Sequence, residues 1–232
     1  MPPRIRAVVF DLDNTLVDSG VDFREMRRRL IQYVRSQRPE TQGIDESKTT
    51  FQLIDAFRAT VADKQELSEH MARIHAIMNQ VEMESVARTR PLGDVRGMLS
   101  ELKGMGIKIG LLTRSCERYA EAAISSIGCL EAFDAMACRS ADEPAKPDPR
   151  SLINLAKKLG VGPSSVIVVG DHVMDGECAR SAGALFAGVR TGPFPASALE
   201  KVDPIAVMDD LGELPGIVRT INAGRSAGPC RA

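Results

Sequence analysis

The strongest constraint on this chain is an apolar run near its beginning that ends in two closely spaced acids. Residues 5–10 (IRAVVF) are short, β-branched and interrupted only by Arg6, which is typical of a buried strand. Asp11 and Asp13 follow at once, with Thr15 after them. Two like charges so close together are unfavourable unless a cation lies between them. A hard cation such as Mg²⁺, which takes oxygen ligands, meets this need, whereas a solvated Asp-Asn-Thr turn is the simpler alternative.

The composition of the whole chain limits the class of protein. Its 232 residues allow one domain, or a core domain with a smaller insertion, and a hydrophobic content of 44% suits a packed core. A net charge of -1 implies no general attraction to nucleic acid or to an anionic membrane, so neither is an expected partner. The five cysteines include no C-x-x-C pair, so neither a disulfide framework nor a structural zinc site is indicated. Without a signal-peptide pattern or a membrane-spanning apolar run, a cytoplasmic location is expected.

The hydrophobic periodicity changes after the first strand. Apolar residues then recur at helical spacing, which predicts three helices at about residues 23–34, 46–61 and 64–86. Pro39 and Gly43 are expected to separate the first two. A Leu- and Met-rich stripe on the third is interpreted as the core of this helical block. We therefore predict an α/β core domain and an inserted helical cap domain, formed by residues 1–17 with 91–232 and by residues 18–90.

From Pro91 onward, predicted strands alternate with predicted helices. The strands lie at about residues 107–112, 133–138, 166–169 and 185–189, and the helices at about 95–103, 119–127, 150–159, 176–182 and 211–221. This alternation implies β-α-β crossovers and a Rossmann-like parallel sheet. Ligands of such sheets bind beyond the carboxyl ends of the strands. Asp11, Thr113 and Asp171 each follow a predicted strand, so we expect them to meet at that edge.

Four short motifs stand in order along the chain. They are Asp11-x-Asp13-x-Thr15, Thr113 at a strand end, Lys146 in a Lys-Pro-Asp loop, and Gly170-Asp171-x-x-x-Asp175. In this order, and each beside the expected element, they resemble the haloacid dehalogenase superfamily. The resemblance extends over about residues 4–211 and is to the phosphoglycolate phosphatase-like members that carry a helical cap.

The resemblance implies a role for each motif residue. Asp11 would be the nucleophile that attacks phosphorus, and Asp13 would protonate the leaving oxygen and then activate water. Thr113 and Lys146 would bind the phosphoryl group. The expected Mg²⁺ ligands are the carboxylates of Asp11, Asp171 and Asp175 and the main-chain carbonyl of Asp13.

Three residues have a structural alternative. Asp175 is a candidate metal ligand or outer-shell residue, and also a candidate N-cap of a helix that is predicted to begin near Gly176; the two roles are compatible. Arg114 stands where the superfamily usually has Asn or a small residue. Its guanidinium either binds a second anionic group of the substrate or pairs locally, with Glu117 as the candidate. His172 lies inside the last motif, but we expect no catalytic role for it.

The resemblance implies a Mg²⁺-dependent phosphatase that acts through an aspartyl-phosphate. A phosphoglycolate-like acid, a sugar phosphate and a nucleotide are all candidate substrates. An acid at Asp13 favours phosphate esters over halides, because an alkoxide leaving group needs a proton donor. Two alternatives remain: a phosphosugar mutase that uses the same residues, and a non-enzymatic regulatory protein on this fold. The protein is expected to be a monomer or a homodimer.

Overall fold

The computed structural model describes residues 4–37, 49–140 and 144–224. The chain divides into two compact units, Met1–Ser19 with Arg88–Ala232, and Gly20–Ala87. The predicted helix breaks at Pro39 and Gly43 lie outside the described residues, as does the predicted start of the second helix at residue 46.

The first unit contains all the strands of the described residues. They are β1 (Ala7–Phe10), β2 (Val17–Asp18), β3 (Arg90–Pro91), β4 (Lys108–Cys116), β5 (Ala135–Arg139), β6 (Val166–Gly170), β7 (Leu185–Val189) and β8 (Ala206–Met208). Within the described ranges, six strands form one sheet in the order β5-β4-β1-β6-β7-β8, and every pairing in it is parallel. The predicted α/β class with a parallel sheet is therefore confirmed.

The helices follow the predicted order with small differences at their ends. They are α1 (Phe23–Gln37), α2 (Thr50–Arg58), α3 (Lys64–Ser85), α4 (Val95–Gly104), α5 (Glu117–Ser126), α6 (Pro149–Lys158), α7 (Val173–Ala182), α8 (Ala196–Leu199) and α9 (Leu214–Asn222). The first three belong to the second unit, and the others belong to the unit with the sheet. None of the helices in the described part of the chain combines the length and the apolar character needed to span a membrane.

Strand β1 lies inside the sheet, between β4 and β6. All four of its residues are fully buried. Ala7 and Val9 pack into a cluster with residues of α6 and α7, and Val8 and Phe10 point to the opposite face because side chains alternate along a strand. A strand covered on both faces needs a continuous apolar sequence, which AVVF supplies. Asp11, the next residue, therefore lies at the carboxyl end of a central strand.

Strand β4 is longer than predicted. It was expected to end at Leu112, but it continues to Cys116. The register of its pairing with β5 shifts between these two residues, so the regular ladder does end at Leu112. Local bonds replace the ladder in between: Ser115 N donates to Thr113 Oγ1 at 3.1 Å, and Arg139 Nη1 donates to Arg114 O at 2.7 Å. Irregularities of this kind re-aim side chains at sheet edges, and here they involve the predicted phosphate-binding residues.

Among the strands and α-helices, four were not predicted: β2, β3, β8 and α8. Each is too short to show a periodicity in the sequence. Strands β2 (Val17–Asp18) and β3 (Arg90–Pro91) pair with each other in antiparallel orientation, and Leu92 N donates to Leu16 O at 3.0 Å. The helical insertion therefore leaves and re-enters the first unit through two paired strands.

The second unit has a hydrophobic core of its own. Ile74, Met78 and Val81 of α3 are buried in it together with residues of α1 and α2, which confirms the interpretation of the stripe on this helix. On α1, Arg28 and Arg29 form ion pairs with Glu25, at 2.6 and 2.8 Å. The two units thus differ in kind: one contains a sheet and helices, whereas the described residues of the other contain helices and no strand.

Candidate active site

Four charged side chains meet at the carboxyl end of the sheet. We call them the charged cluster: Asp11, Lys146, Asp171 and Asp175. The Nζ atom of Lys146 lies 2.5 Å from Oδ1 of Asp11 and 2.6 Å from Oδ1 of Asp175. Lys146 is only 3% exposed, and both carboxylates that it contacts are largely buried. The predicted meeting of separate sequence motifs at this edge is therefore present in the structure.

The elements around the cluster explain how its members come together. Asp11 directly follows β1, and its N–H donates to Val169 O in the neighbouring strand β6 at 2.9 Å. Asp171 directly follows β6. Lys146 lies just before α6, whose N-cap residue Asp148 accepts from Arg150 N at 2.9 Å. Two adjacent strands and one helix start therefore hold the three side chains.

Asp175 lies in the first turn of α7, and it is not the N-cap residue. The helix begins at Val173, three residues before the predicted start, and His172 is its N-cap. Nδ1 of His172 accepts from Met174 N at 3.0 Å, and His172 N donates to Asp175 Oδ2 at 3.2 Å. The alternative that Asp175 is the N-cap of a helix that begins near Gly176 is therefore wrong, but Asp175 does help to cap α7, because its side chain completes a capping box with His172. The true start was missed because histidine is an uncommon N-cap. His172 has a structural role here as the N-cap of α7, and the absence of a catalytic role for it stays a prediction.

The electrostatics of the charged cluster follow from burial and from an excess of acids. Burial raises the pKa of Asp171 to about 7, and the charges of Asp11 and Asp175 add to this effect. Burial also raises the pKa of Asp11, against the opposing charge of Lys146. Burial alone would lower the pKa of Lys146, but the charges of Asp11 and Asp175 outweigh it and the pKa is raised. Lys146 therefore stays cationic, while three carboxyls compete for one positive charge.

The donor atoms of the cluster suit a divalent cation. One carboxylate oxygen from each of Asp11, Asp171 and Asp175 lies within 4.8 Å of the others. Thr15 Oγ1 lies 3.3 Å from Asp171 Oδ1 and 3.5 Å from Asp11 Oδ2, so its hydroxyl is within reach of both carboxylates. Three carboxylates and one ammonium leave a net negative charge that a hard cation with oxygen ligands would offset. The residues of this site therefore fit Mg²⁺.

Two glycines allow the backbone to approach this cluster. A Cβ atom on Gly170 would lie 2.3 Å from Oδ2 of Asp175, and one on Gly192 would lie 2.0 Å from Oδ2 of Asp171. Contacts this short do not occur for real side chains, so both positions need glycine. Gly170 was part of a predicted motif, but nothing in the sequence connected Gly192 with Asp171.

Asp13 has partners of a different kind. Ser115 Oγ donates to its Oδ2 atom at 2.7 Å, and the Tyr119 hydroxyl donates to its Oδ1 atom at 3.0 Å. We call Ser115 and Tyr119 the hydroxyl pair. Tyr119 is fully buried and Ser115 is 6% exposed. Neither was among the predicted site residues, although a tyrosine on the buried face of a helix is expected to have a polar partner for its hydroxyl.

Thr113 and Arg114 directly precede Ser115 in β4. The hydroxyl oxygen of Thr113 accepts from Ser115 N, which leaves its proton for another acceptor. Arg114 Nη1 donates to Sδ of Met174 at 3.7 Å, so its side chain reaches the first turn of α7, next to Asp175. A pairing of Arg114 with Glu117 stays a prediction.

Three of the described cysteines have thiols that are poorly suited to act as nucleophiles. Burial raises the pKa of Cys129 and Cys178, and it raises that of Cys138 to about 12. A thiol with a raised pKa stays protonated and is a poor nucleophile.

The sequence matches a known family over most of its length. Residues 5–183 match the profile of the haloacid dehalogenase-like hydrolases. An N-acetylmuramic acid 6-phosphate phosphatase of Pseudomonas aeruginosa is 28% identical over 82% of this chain and 83% of its own length. A phosphoglycolate phosphatase of Thiobacillus denitrificans is 24% identical over 91% of this chain and 95% of its own.

Solved structures share the fold. A putative haloacid dehalogenase-like hydrolase of Bacteroides fragilis superposes with a TM-score of 0.68 at 22% identity, covering 91% of this chain and 100% of its own. A putative beta-phosphoglucomutase of Thermotoga maritima gives a TM-score of 0.62 at 24% identity, covering 94% of this chain and 100% of its own. With the profile match over residues 5–183, these findings establish that the chain belongs to the haloacid dehalogenase-like hydrolases.

Proposed function

We propose that this protein is a Mg²⁺-dependent phosphatase of small phosphomonoesters in which Asp11 is the nucleophile. The contact between Lys146 Nζ and Oδ1 of Asp11, at 2.5 Å, supports this most directly. A buried cation on one oxygen of a carboxylate offsets the repulsion that an incoming phosphate dianion would meet. It also holds the carboxylate in one orientation, with Oδ2 left to form the bond to phosphorus.

The reaction divides into two transfers of the phosphoryl group. In the first, Asp11 Oδ2 bonds to phosphorus while the ester oxygen leaves with a proton from Asp13. In the second, the Asp13 carboxylate takes a proton from water, whose oxygen attacks phosphorus and releases Asp11. Thr113 would donate its hydroxyl proton to a phosphoryl oxygen, and Lys146 would bind another.

The metal would be held by oxygen atoms of the motif residues. We assign the carboxylates of Asp11 and Asp171 and the main-chain carbonyl of Asp13 as direct ligands. Asp175 already accepts hydrogen bonds from Lys146 and His172 N, so we assign it to the orientation of Lys146 and to the outer shell of the metal. A Mg²⁺ ion held by these residues would supply positive charge to offset the negative charge of the phosphoryl group.

The substrate we propose is a phosphate ester that also carries a carboxylate. Two curated relatives are named for N-acetylmuramic acid 6-phosphate and for phosphoglycolate, both phosphate esters of carboxylic acids. Arg114 lies one residue after Thr113 and reaches toward α7, which suits it to bind such a group. Arg114→Ala should lower kcat/KM for acid-bearing esters by roughly tenfold to 150-fold, the value of one charge-assisted hydrogen bond. It should spare p-nitrophenyl phosphate, and equal losses for both substrates would contradict this assignment.

We further propose that residues 18–90 form a cap domain that folds separately from the core of residues 1–17 and 91–232. Asp18 and Arg90 lie opposite each other in the antiparallel pair of β2 and β3, so a short Gly-Ser linker can replace the insertion between them. The shortened protein should still unfold cooperatively on heating. Absence of a cooperative transition would contradict the proposed division.

The proposed activity is tested with a panel of phosphate esters. Purified protein is given alkyl phosphates, sugar phosphates, nucleotides and phosphate esters of hydroxy acids, and released phosphate is measured with Mg²⁺ and with EDTA. We expect phosphate release that requires Mg²⁺. Conversion of a sugar monophosphate without release of phosphate would instead indicate the mutase, and no reaction with any ester would contradict both enzymes.

A further inference from the structure

We infer that Ser115 and Tyr119, the hydroxyl pair, are positioning residues that fix the carboxyl group of Asp13 for proton transfer. The inference rests on the proposed function, because Asp13 is its proton donor and acceptor. The observation behind it is that both oxygens of one carboxylate accept a hydrogen bond from a buried side-chain hydroxyl, at 2.7 and 3.0 Å.

The three residues come from different parts of the first unit. Asp13 lies between β1 and β2, Ser115 lies in the irregular end of β4, and Tyr119 lies in the first turns of α5. Tyr119 is one of the largest fully buried side chains, so the packing around its ring fixes where its hydroxyl points. Burial of two hydroxyls without partners would cost free energy, and Asp13 supplies the acceptors.

Both hydrogen bonds leave room for the proton that Asp13 must carry. A carboxylate offers about four lone-pair sites, and the hydroxyl pair uses one on each oxygen. A carboxyl oxygen that accepts one such hydrogen bond can still carry a proton, so the hydroxyl pair is compatible with both the protonated and the ionised form of Asp13. The hydroxyls of serine and tyrosine ionise only at high pH. At neutral pH they already carry their own proton, so they do not accept the proton of Asp13.

The two hydrogen bonds restrict the orientation of the Asp13 carboxyl group. A carboxyl group that is held at one oxygen can rotate about its Cβ–Cγ bond, but one that is held at both oxygens cannot. Proton transfer needs its donor and acceptor at about 2.6–3.2 Å and aligned, so a fixed carboxyl group spends more of its time in a reactive geometry.

Each hydroxyl can be removed with little other change. Ser115→Ala keeps the Ser115 main-chain N–H, which donates to Thr113, so the predicted phosphate-binding hydroxyl stays in place. Tyr119→Phe keeps the buried ring. Ser115→Thr retains a hydroxyl and serves as the conservative variant.

Matched controls lie elsewhere in the chain. Ser126→Ala removes a hydroxyl on α5 that donates to Ala123 O at 2.7 Å. Tyr33→Phe removes a hydroxyl in the second unit that lies 2.7 Å from Nδ1 of His70. Thermal unfolding of every variant checks that it is folded before its kinetics are compared.

The experiment compares an alkyl phosphate with p-nitrophenyl phosphate, whose leaving group needs little protonation. For the alkyl ester, Ser115→Ala and Tyr119→Phe should each lower kcat by roughly tenfold to 150-fold, the value of a hydrogen bond to a charged group. KM should stay close to that of the wild type, because neither hydroxyl is assigned to bind substrate. In single-turnover measurements, phosphoryl transfer from p-nitrophenyl phosphate should be nearly unchanged, and Ser115→Thr should recover most of the rate.

The outcomes separate this inference from the proposed function. An active wild type whose folded variants lose nothing, or lose equally in the first step with both leaving groups, overturns the positioning role and leaves the phosphatase intact. A rise in KM at unchanged kcat also overturns it, because the hydroxyls would then act on substrate binding. A wild type that hydrolyses no ester overturns both.

Discussion

Asp11 and Asp13 lie two residues apart, yet the hydrogen bonds shown for their carboxylates come from different kinds of donor. Asp11 lies in the charged cluster, with Lys146 Nζ at 2.5 Å. Asp13 accepts from two neutral hydroxyls. A neighbouring cation stabilises only the ionised form of an acid, whereas a neutral hydroxyl can hydrogen-bond to both forms. The comparison teaches that a nucleophile, which must stay ionised, and a proton carrier, which must change charge, need different neighbours.

The largest effect should come from Asp11→Asn. A carboxamide cannot form the bond to phosphorus, so turnover should fall by roughly 10⁴-fold or more. The protein should remain folded, because asparagine has the same shape and Lys146 keeps Asp175 as a partner. Phosphate release and thermal unfolding are measured on the same preparation. A folded variant that keeps a tenth of the wild-type rate would refute the nucleophilic role.

Asp13→Asn should have a smaller effect that depends on the leaving group. Loss of a general acid costs about 10² to 10⁴ in rate when the leaving oxygen needs a proton. The first step should therefore slow strongly with an alkyl phosphate and much less with p-nitrophenyl phosphate. Rapid-quench measurements of a single turnover give this comparison. Equal losses with both esters would mean that Asp13 does not act as the acid.

Lys146→Met tests the charged cluster through stability. Removal of one partner from a buried ion pair costs about 3–5 kcal/mol, because the remaining charges are left buried without compensation. Lys103→Met is the matched control: Lys103 pairs with Asp134 at 2.8 Å but is 37% exposed, and such pairs contribute about 0–1 kcal/mol. Urea unfolding without metal should separate the two variants clearly. Similar losses of unfolding free energy in the Lys146→Met and Lys103→Met variants would show that burial does not increase the contribution of the Lys146 ion pairs to stability.

Asp171→Asn should change stability in a way that depends on pH. Burial and neighbouring charges raise the pKa of Asp171 to about 7, from an ordinary value of 3.8. Between these values the folded protein holds a proton that the unfolded chain has lost, so stability of the metal-free wild type falls as pH rises through this window. Asparagine does not ionise, so the variant does not lose stability in this way as pH rises. Its Tm in EDTA, relative to wild type, should therefore rise from about pH 4 to pH 7 and then level off.

Two further results of this experiment bear on the account. Mg²⁺ should stabilise the wild type more than the Asp171→Asn variant, because the variant lacks one of the assigned ligands. A Tm difference that does not vary with pH would contradict the raised pKa of Asp171, and an equal effect of Mg²⁺ on both proteins would contradict its assignment as a ligand.

The parallel sheet and the meeting of Asp11 with Asp171 could be predicted because each leaves a signal that is local in sequence, whereas Lys146 and Asp175 were expected at the site from the resemblance to the family. β1 is a continuous apolar run that ends at Asp11, and β6 is another that ends at Gly170 and Asp171. The carboxyl ends of neighbouring parallel strands lie at the same edge of a sheet, so strand order alone brings these acids together.

The surroundings of Asp13 could not be predicted in this way. Ser115 lies in a stretch where the strand register shifts, and which way a side chain points there depends on three-dimensional packing. Tyr119 appears in the sequence only as one apolar position of a helix. The start of α7 was misplaced for a related reason, because the N-cap is His172 and the usual capping residues are absent.

The most direct test of the account is to find which residue carries the phosphoryl group. The enzyme is mixed with substrate, quenched in acid within one turnover, and reduced with borohydride, which converts an aspartyl-phosphate to homoserine. Peptide mapping by mass spectrometry then locates the change, with the Asp11→Asn variant as the control. We predict homoserine at position 11 in the wild type and none in the variant. A burst of released alcohol with the modification at position 13, or at any other residue, would contradict the assignment of Asp11 as the nucleophile.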